Sequence, residues 1–319
     1  MKVKSKSKKK PIKKSGHEIL PRLQAEIASS PILSPPEEVY TRVYHAVNPG
    51  DLVAAMGAVK KYYDITKRKV ILSQSTQTLA AYYPGATHPT VNENGQNVCC
   101  NVPMWEMLKP LIESQYYVHK FEQYNGQKVD LDFNIIRGKT NVNLPNGSIQ
   151  GWLPLAFPDL SFDISKPWIL LDDKDCPEYI AAQVNGKVIL NFTERYRNHM
   201  IDYFYLKNYS PDLIFAGTEK EYWLFCNRWQ LTIPRLEVNN FLDLAYAIKR
   251  ARFMMGNQSM CINLAYAMQT PRVCEICNYA QNVIHMIGEE CHGFMYQTGA
   301  EYYFRRLYNK TDGWFRTNK

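Results

Sequence analysis

Phe253-Met-Met-Gly-Asn-Gln-Ser-Met-Cys-Ile-Asn-Leu-Ala-Tyr-Ala-Met-Gln-Thr-Pro-Arg-Val-Cys-Glu275 reads as strand, tight turn, helix and strand. Arg252 to Met255 supplies a short strand, and Gly256 permits a sharp exit from it. From Ser259 onward, Met260, Ile262, Leu264, Ala265, Ala267 and Met268 cover most of a helix surface, as expected of a helix packed between two layers. Pro271 stops that helix, and Val273 to Ile276 forms the next strand. Asn257, Gln258 and Ser259 therefore fall at a helix N-terminus, where unpaired N–H groups and the helix dipole favour an anion. Simple N-capping would use the same residue types.

A second turn of this kind lies near the start. An apolar strand ends in Asn48-Pro49-Gly50-Asp51, and a helix follows with Leu52, Ala55, Met56 and Val59 on one face. Arg68 to Leu72 supplies the next strand, completing a β-loop-α-β unit with a small residue where the backbone must approach something closely. No G-x-G-x-x-G run is present, so a nicotinamide or flavin fingerprint is not supported.

Together the two turns resemble the lipopolysaccharide heptosyltransferase family (glycosyltransferase family 9). Gly50-Asp51-Leu-Val-Ala-Ala-Met-Gly-Ala-Val59 is similar to that family's first turn, Gly-Asp before an apolar helix. Phe253-Met-Met-Gly-Asn-Gln-Ser259 with Leu264-Ala265 and Thr270-Pro271-Arg272-Val273 resembles its late motif, Gly-Asp-Ser/Thr-Gly, then His-Leu-Ala, then Pro. The resemblance spans roughly residues 41–305 and departs from the family at three places. The family's late Asp is Asn257, its Gly is Ser259, and its His falls at Ile262 or Asn263. The resemblance implies an α/β, GT-B-like fold of two Rossmann-like domains facing across a cleft. The domains would be residues 17–165 on the acceptor side and 166–298 on the nucleotide-sugar side. It also implies a helix over 299–319 packing back on the first domain.

Charge is distributed unevenly. Residues 1–16 carry eight lysines and no acid, which accounts for the whole formal net charge of +8. The body is therefore not a general nucleic-acid surface. The tail reads as a disordered basic terminus that could contact a polyanion. Hydrophobic content of 45% with 21% charged residues fits a soluble globular chain, and no apolar run reaches the length of a membrane span. Eight irregularly spaced cysteines and no signal-peptide pattern fit a reducing, cytoplasmic setting.

Along the rest of the chain, Ser73 to Asn101 is irregular and could line an acceptor site, Met104 to Ile112 is a helix ended near Pro110, and Tyr116 to Glu122 is a strand. Asp130 and Asp132 alternate with apolar residues on one strand face, as acid/base candidates or as a solvated edge. Trp168 to Leu171 reads as a strand ending in Asp172-Asp173-Lys-Asp175. The D-x-D spacing invites a metal, but one such pair supplies too few oxygen ligands, and the family resembled is metal-independent. Lys187 to Phe192 is a strand followed by Thr193, Arg195 and Arg197, a candidate phosphate clamp. Leu213 to Ala216 exits through Gly217, Glu219 to Asn227 is helical, Leu231 to Ile233 is a strand, and Asn240 to Arg250 is a helix. Right-handed crossovers bring the loops after residues 192, 216 and 255 to one rim. Cys274-Glu-Ile-Cys277 and Cys291-His292 lack the paired spacing of a zinc site and read as buried thiols. Glu275, at a strand end, could take two ribose hydroxyls.

These readings converge on an inverting, metal-independent glycosyltransferase with no bound cofactor, using a nucleotide-diphospho-sugar and a glycan or other hydroxyl acceptor. Asp51 is its general base. Asn48, Gly50, Thr193, Arg195, Arg197, Gly217, Gly256, Asn257, Gln258, Ser259 and Glu275 make up its donor and substrate site. Two alternatives share these residues: a degenerate nucleotide-sugar-binding module, and a transferase acting on nucleic-acid bases as some viral enzymes do.

Overall fold

The chain alternates strand and helix twice over, and each series builds a parallel sheet. The computed structural model describes residues 40–80, 90–136, 149–278, 287–288 and 290–310. The Lys-rich tail, the lead-in to Val39 and the Pro84-Gly85 and His88-Pro89 part of the acceptor segment lie outside the described residues. In the first series, β1 (Thr41–His45) leads into α1 (Pro49–Thr66), then β2 (Val70–Gln74), α2 (Val102–Glu113), β3 (Val118–Gln123) and the short β4 (Leu131–Asp132). These strands form a sheet in the order β3-β2-β1-β4, all parallel. After α3 (Trp152–Ala156) and α4 (Glu178–Val184) comes the second series: β5 (Val188–Asn191), β6 (Leu213–Phe215), α5 (Glu219–Trp229), α6 (Phe241–Arg250), β7 (Phe253–Asn257), α7 (Met260–Ala267), β8 (Arg272–Glu275), β9 (Cys291–Phe294) and α8 (Gln297–Lys310). Its sheet runs β6-β5-β7-β8-β9, again all parallel.

Local chemistry sets the element ends. Pro49 opens α1 at a position where its missing N–H costs nothing, and Lys67 closes it in the left-handed conformation. Thr218 and Glu221 form a capping box on α5, and the Asn240 side chain accepts from the Leu242 and Asp243 N–H groups to start α6. Both faces of the second sheet are buried, which is why its strands read as unbroken apolar runs. Val188, Leu190, Phe192, Phe253, Met255 and Val273 face a core shared with α5 and α8, while Ile189, Met254 and Cys274 face the opposite way.

That opposite face joins a single apolar core that runs into the first sheet. Its seam is α1 against α7. Gly57 leaves a notch in α1 filled by the Phe162 ring, whose atoms would lie 2.1 Å from a β-carbon placed there. Phe162 packs edge-on to Trp168, and Trp168 edge-on to Tyr266 of α7. Trp168 also donates its indole N–H to the Val53 carbonyl at 2.8 Å, and its backbone N–H to Ala267 at 2.9 Å. One buried indole thus ties α1 to the C-terminal end of α7.

Several expectations are corrected. Trp168 to Leu171 is not a strand: the Trp168 and Ile169 N–H groups cap α7, and those two side chains are buried while Leu170 is exposed. Leu231 to Ile233 makes no strand; the nearby ladder contact is an isolated bridge from Phe215 to Arg235. Pro110 lies inside α2, which continues to Glu113, and the Asn101 side chain caps that helix on the Met104 N–H. β9 has no counterpart in the reading above. The C-terminal helix begins at Gln297, and Ala300, Phe304 and Leu307 pack it on the second sheet, not on the first half.

Candidate active site

The turn after β1 is held from both sides. Asn134 accepts from the Ala46 N–H at 2.8 Å, and the Leu52 N–H reaches the Asn48 carbonyl at 3.0 Å. Asn48 is the N-cap residue, in extended conformation and without a side-chain cap bond. Asp51 therefore stands in the first helical turn, where the helix dipole favours its carboxylate. It lines a small pocket with His45, Phe133, Ile136, Trp152 and Leu153, with room for little more than a water-sized group.

The turn after β7 is occupied by protein. β7 continues through Gly256 and Asn257, so Gly256 is not an exit from the strand. A β-carbon on Gly256 would sit 2.2 Å from the Asn191 carbonyl oxygen, so glycine is needed for strand contact. Asn257 is fully buried; its Oδ1 accepts from the Thr193 N–H at 3.0 Å and its Nδ2 donates to the carbonyls of Thr193 and Arg195 at 3.0 and 2.6 Å. Gln258 accepts from the Cys277 N–H at 2.7 Å, and Ser259 donates to Asn191 at 2.6 Å. These three residues, expected to meet a donor, stitch the ends of β5, β7 and β8 together.

The two arginines separate. Arg197 is buried and pairs with Glu275 at 3.1 Å, over the rings of Phe192, Tyr203 and Phe225. Glu275 also accepts from the Asn198 N–H at 2.6 Å and from the Tyr203 hydroxyl. Its carboxylate, fully buried, holds the loop after β5 onto β8 and does not face a ribose. Burial, first, and the Glu275 charge hold the Tyr203 phenol well above its usual range. Arg195 is half-buried, stacks on Tyr196 at 4.8 Å, and sits at the carboxyl rim of the sheet. Thr193 donates its hydroxyl to the Arg195 carbonyl at 3.0 Å. Gly217 sits under the Phe215 ring, 2.7 Å from where a β-carbon would stand, and serves packing.

What the fold brings together is the two helix starts. A β-carbon on Gly50 would lie 3.0 Å from Asn263 Nδ2 and 3.4 Å from Met260 Cα, so the first turns of α1 and α7 touch. Across the same junction Gln150 donates to Asn263 at 3.2 Å, both side chains buried. Asp51 follows Gly50 directly at this junction.

Other acids have structural partners. Asp130 accepts from the Arg42 N–H, and Asp132 accepts from Asn134. Asp173 pairs with Lys249 at 3.0 Å, and Asp172 accepts from the Lys174 N–H. Among the described residues no cluster of three or more His, Cys, Asp or Glu side chains could hold a metal ion. Burial pushes the thiols of Cys261 and Cys274 up to about 12, so neither is a thiolate at neutral pH. Among the described residues no helix is long and apolar enough to cross a membrane.

His45, Gln74 and Gln150 were given no role in the sequence analysis. His45 and Gln74 end β1 and β2, and polar residues at the carboxyl ends of apolar strands were the available signal. Asn263 was marked only as one of two places where the resembled family's His falls, nothing local marks Gln150, and the two meet through tertiary packing.

No family model matches the sequence, and no curated protein matches it. Solved structures to which the chain is similar include a glycosyl transferase family 9 protein from Veillonella parvula DSM 2008, at 9% identity over 86% of this chain and 89% of that one, with a TM-score of 0.45. Another is the E. coli heptosyltransferase WaaC with ADP, at 9% identity over 84% of this chain and 100% of that one, TM-score 0.49. A third is E. coli ADP-heptose LPS heptosyltransferase II, at 12% identity over 86% and 100%, TM-score 0.45.

Proposed function

We propose that the chain transfers a sugar from a nucleotide-diphospho-sugar to a glycan or other hydroxyl acceptor, with inversion and without a metal. The observation that carries this reading is the contact between the two helix starts, where Gly50, next to Asp51 in the first turn of α1, packs against Met260 and Asn263 of α7. In the reaction the acceptor oxygen attacks the anomeric carbon as its proton passes to Asp51. The bond from that carbon to the diphosphate oxygen breaks, and the electron pair leaves with the diphosphate. Arg195 and the N–H groups of α7 meet the growing negative charge. The first half, residues 17–165, takes the acceptor, and residues 166–298 the donor, in a GT-B-like arrangement.

A second reading, a nucleotide-sugar-binding module without transfer, is favoured by one observation: Asn257, Arg197 and Glu275 are all engaged within the protein. Incubation of the protein with a panel of nucleotide-sugars and hydroxyl acceptors separates the two. Transfer that falls by about 10²–10⁴ in Asp51→Asn, with donor affinity retained, supports the enzyme. Donor binding without transfer by the wild type, or near-normal transfer by Asp51→Asn, overturns it.

A further inference from the structure

The body of the chain carries no net charge once residues 1–16 are set aside, yet its cations are not spread evenly. Residues 60–69 hold Lys60, Lys61, Lys67, Arg68 and Lys69 against a single acid, Asp64. That acid is taken by Lys60, one helical turn away on α1, at 2.8 Å. Among the described residues no carboxylate pairs with Lys61, Lys67, Arg68 or Lys69.

These four cations stand on one corner of the first sheet, at the amino ends of its strands. The Lys67 N–H closes α1 on the Tyr63 carbonyl at 2.8 Å, and its left-handed backbone turns the chain directly into β2. The Lys69 carbonyl accepts from the Thr41 N–H at 3.2 Å, and the Val70 N–H donates to the Tyr117 carbonyl at 3.1 Å. The Lys67 ammonium lies 5.8 Å from the centre of the Tyr63 ring, which meets Tyr116 edge-on at 5.3 Å. Apolar groups share the corner: Ile65, one turn after Lys61, and Tyr116 are both exposed.

We propose that this corner is a docking face for the surface of an anionic lipid bilayer. The unpaired cations meet lipid phosphates, and Ile65 and the Tyr116 ring enter the headgroup layer. Ile65 selects this partner over a nucleic acid. An aliphatic side chain gains nothing along a phosphate backbone and cannot stack on a base, whereas it gains by leaving water for the headgroup layer. Three of the four cations are lysines, point charges suited to mobile headgroups more than to the fixed phosphates that a guanidinium fork grips. The Asp51 turn follows the opposite, carboxyl end of β1, so docking here does not depend on the transferase reading.

Vesicle co-sedimentation of the full chain tests it. The wild type should bind vesicles of phosphatidylcholine mixed equally with phosphatidylglycerol, bind phosphatidylcholine alone far less, and release with salt. Replacing Lys61, Lys67, Arg68 and Lys69 together by Gln should lower the affinity by about 10² or more, at roughly fivefold per cation. Residues 1–16 are present in every variant, so this loss reports on the corner alone. Ile65→Ser changes no charge and should weaken binding by roughly threefold to tenfold, at high salt as well. Melting temperatures should hold, because every substituted side chain lies at the surface. If the fourfold variant melts early, Lys67→Glu with Lys69→Glu carries the same comparison. A wild type that ignores the anionic vesicles, or a fourfold variant that binds them undiminished, overturns the proposal. So does Ile65→Ser binding as well as the wild type, since charge alone would then account for the attraction. Anisotropy with a labelled DNA oligonucleotide, single-stranded and duplex, supplies the remaining outcome: tighter binding there than to the vesicles, lost in the fourfold variant, assigns the corner to nucleic acid and overturns the membrane.

Discussion

The Asn257 amide donates to the Arg195 carbonyl at 2.6 Å, from the end of β7 to the loop after β5. Its reach to the Thr193 and Tyr196 carbonyls, at 3.0 and 3.3 Å, makes it a clamp on a loop whose Tyr196 is held at φ +58. Carbonyl oxygens call for a donor, and an aspartate has none. Asn257→Asp should therefore destabilise the fold by about 1–3 kcal/mol at neutral pH, the cost of unsatisfied buried partners. Urea denaturation checks this, and an unchanged midpoint would contradict the clamp.

Glu275→Gln tests the role of the buried pair. The substitution leaves Arg197 charged and buried, with Glu194 at 3.8 Å as its remaining carboxylate among the described residues. A loss of about 3–5 kcal/mol is expected, as when one partner of a buried ion pair is removed. A variant of normal stability with weakened nucleotide binding would restore the ribose-binding role.

The two glycines of closest approach should differ. Gly256→Ala drives a β-carbon against the Asn191 backbone oxygen at 2.2 Å, which cannot rotate away. Gly57→Ala meets the Phe162 ring, a side chain able to turn. Both overpack the structure, by about 1–3 kcal/mol, and Gly256→Ala should be the worse of the two. Thermal melts of the pair decide the order.

Alkaline pH should weaken the fold. Burial raises the Cys100, Cys261 and Cys274 thiols to about 12, whereas an unfolded thiol titrates at about 8.5. Below that lower value every thiol is neutral in both states and the stability is fully present. As pH rises toward 12 the unfolded chain ionises first, so stability falls by about 1.4 kcal/mol per pH unit for each such thiol. Denaturant midpoints from neutral to alkaline pH check the sign, and native thiols should resist alkylation at neutral pH.

Much of the architecture was legible because it follows from short-range rules. The apolar run before Asn48-Pro49-Gly50, the helix face of Leu52 and Val59, and the strand–helix order around Gly256 and Pro271 each depend on neighbours in sequence. Period and turn chemistry specify such units whatever they pack against. Trp168 shows where this ends. Its run reads as a strand, but among the described residues no strand pairs with it, and its indole lies between Val53 and Tyr266.

The sequence by itself determined the two β-loop-α turns and the identity of the acid at the first of them. Tertiary structure alone decided which polar residues face inward. Arg195 and Arg197 stand two residues apart and look alike in sequence, yet only Arg197 reaches Glu275, 78 positions away. Asn257 reads as a helix-start residue and is a loop clamp because the β5 loop folds over it. His45 carries no local signal of its partner in sequence, and parallel pairing of β1 with β2 sets its Nδ1 2.8 Å from Gln74 Oε1. A buried polar atom takes its partner from whatever the packed chain sets within about 3 Å, and no local pattern encodes that distance.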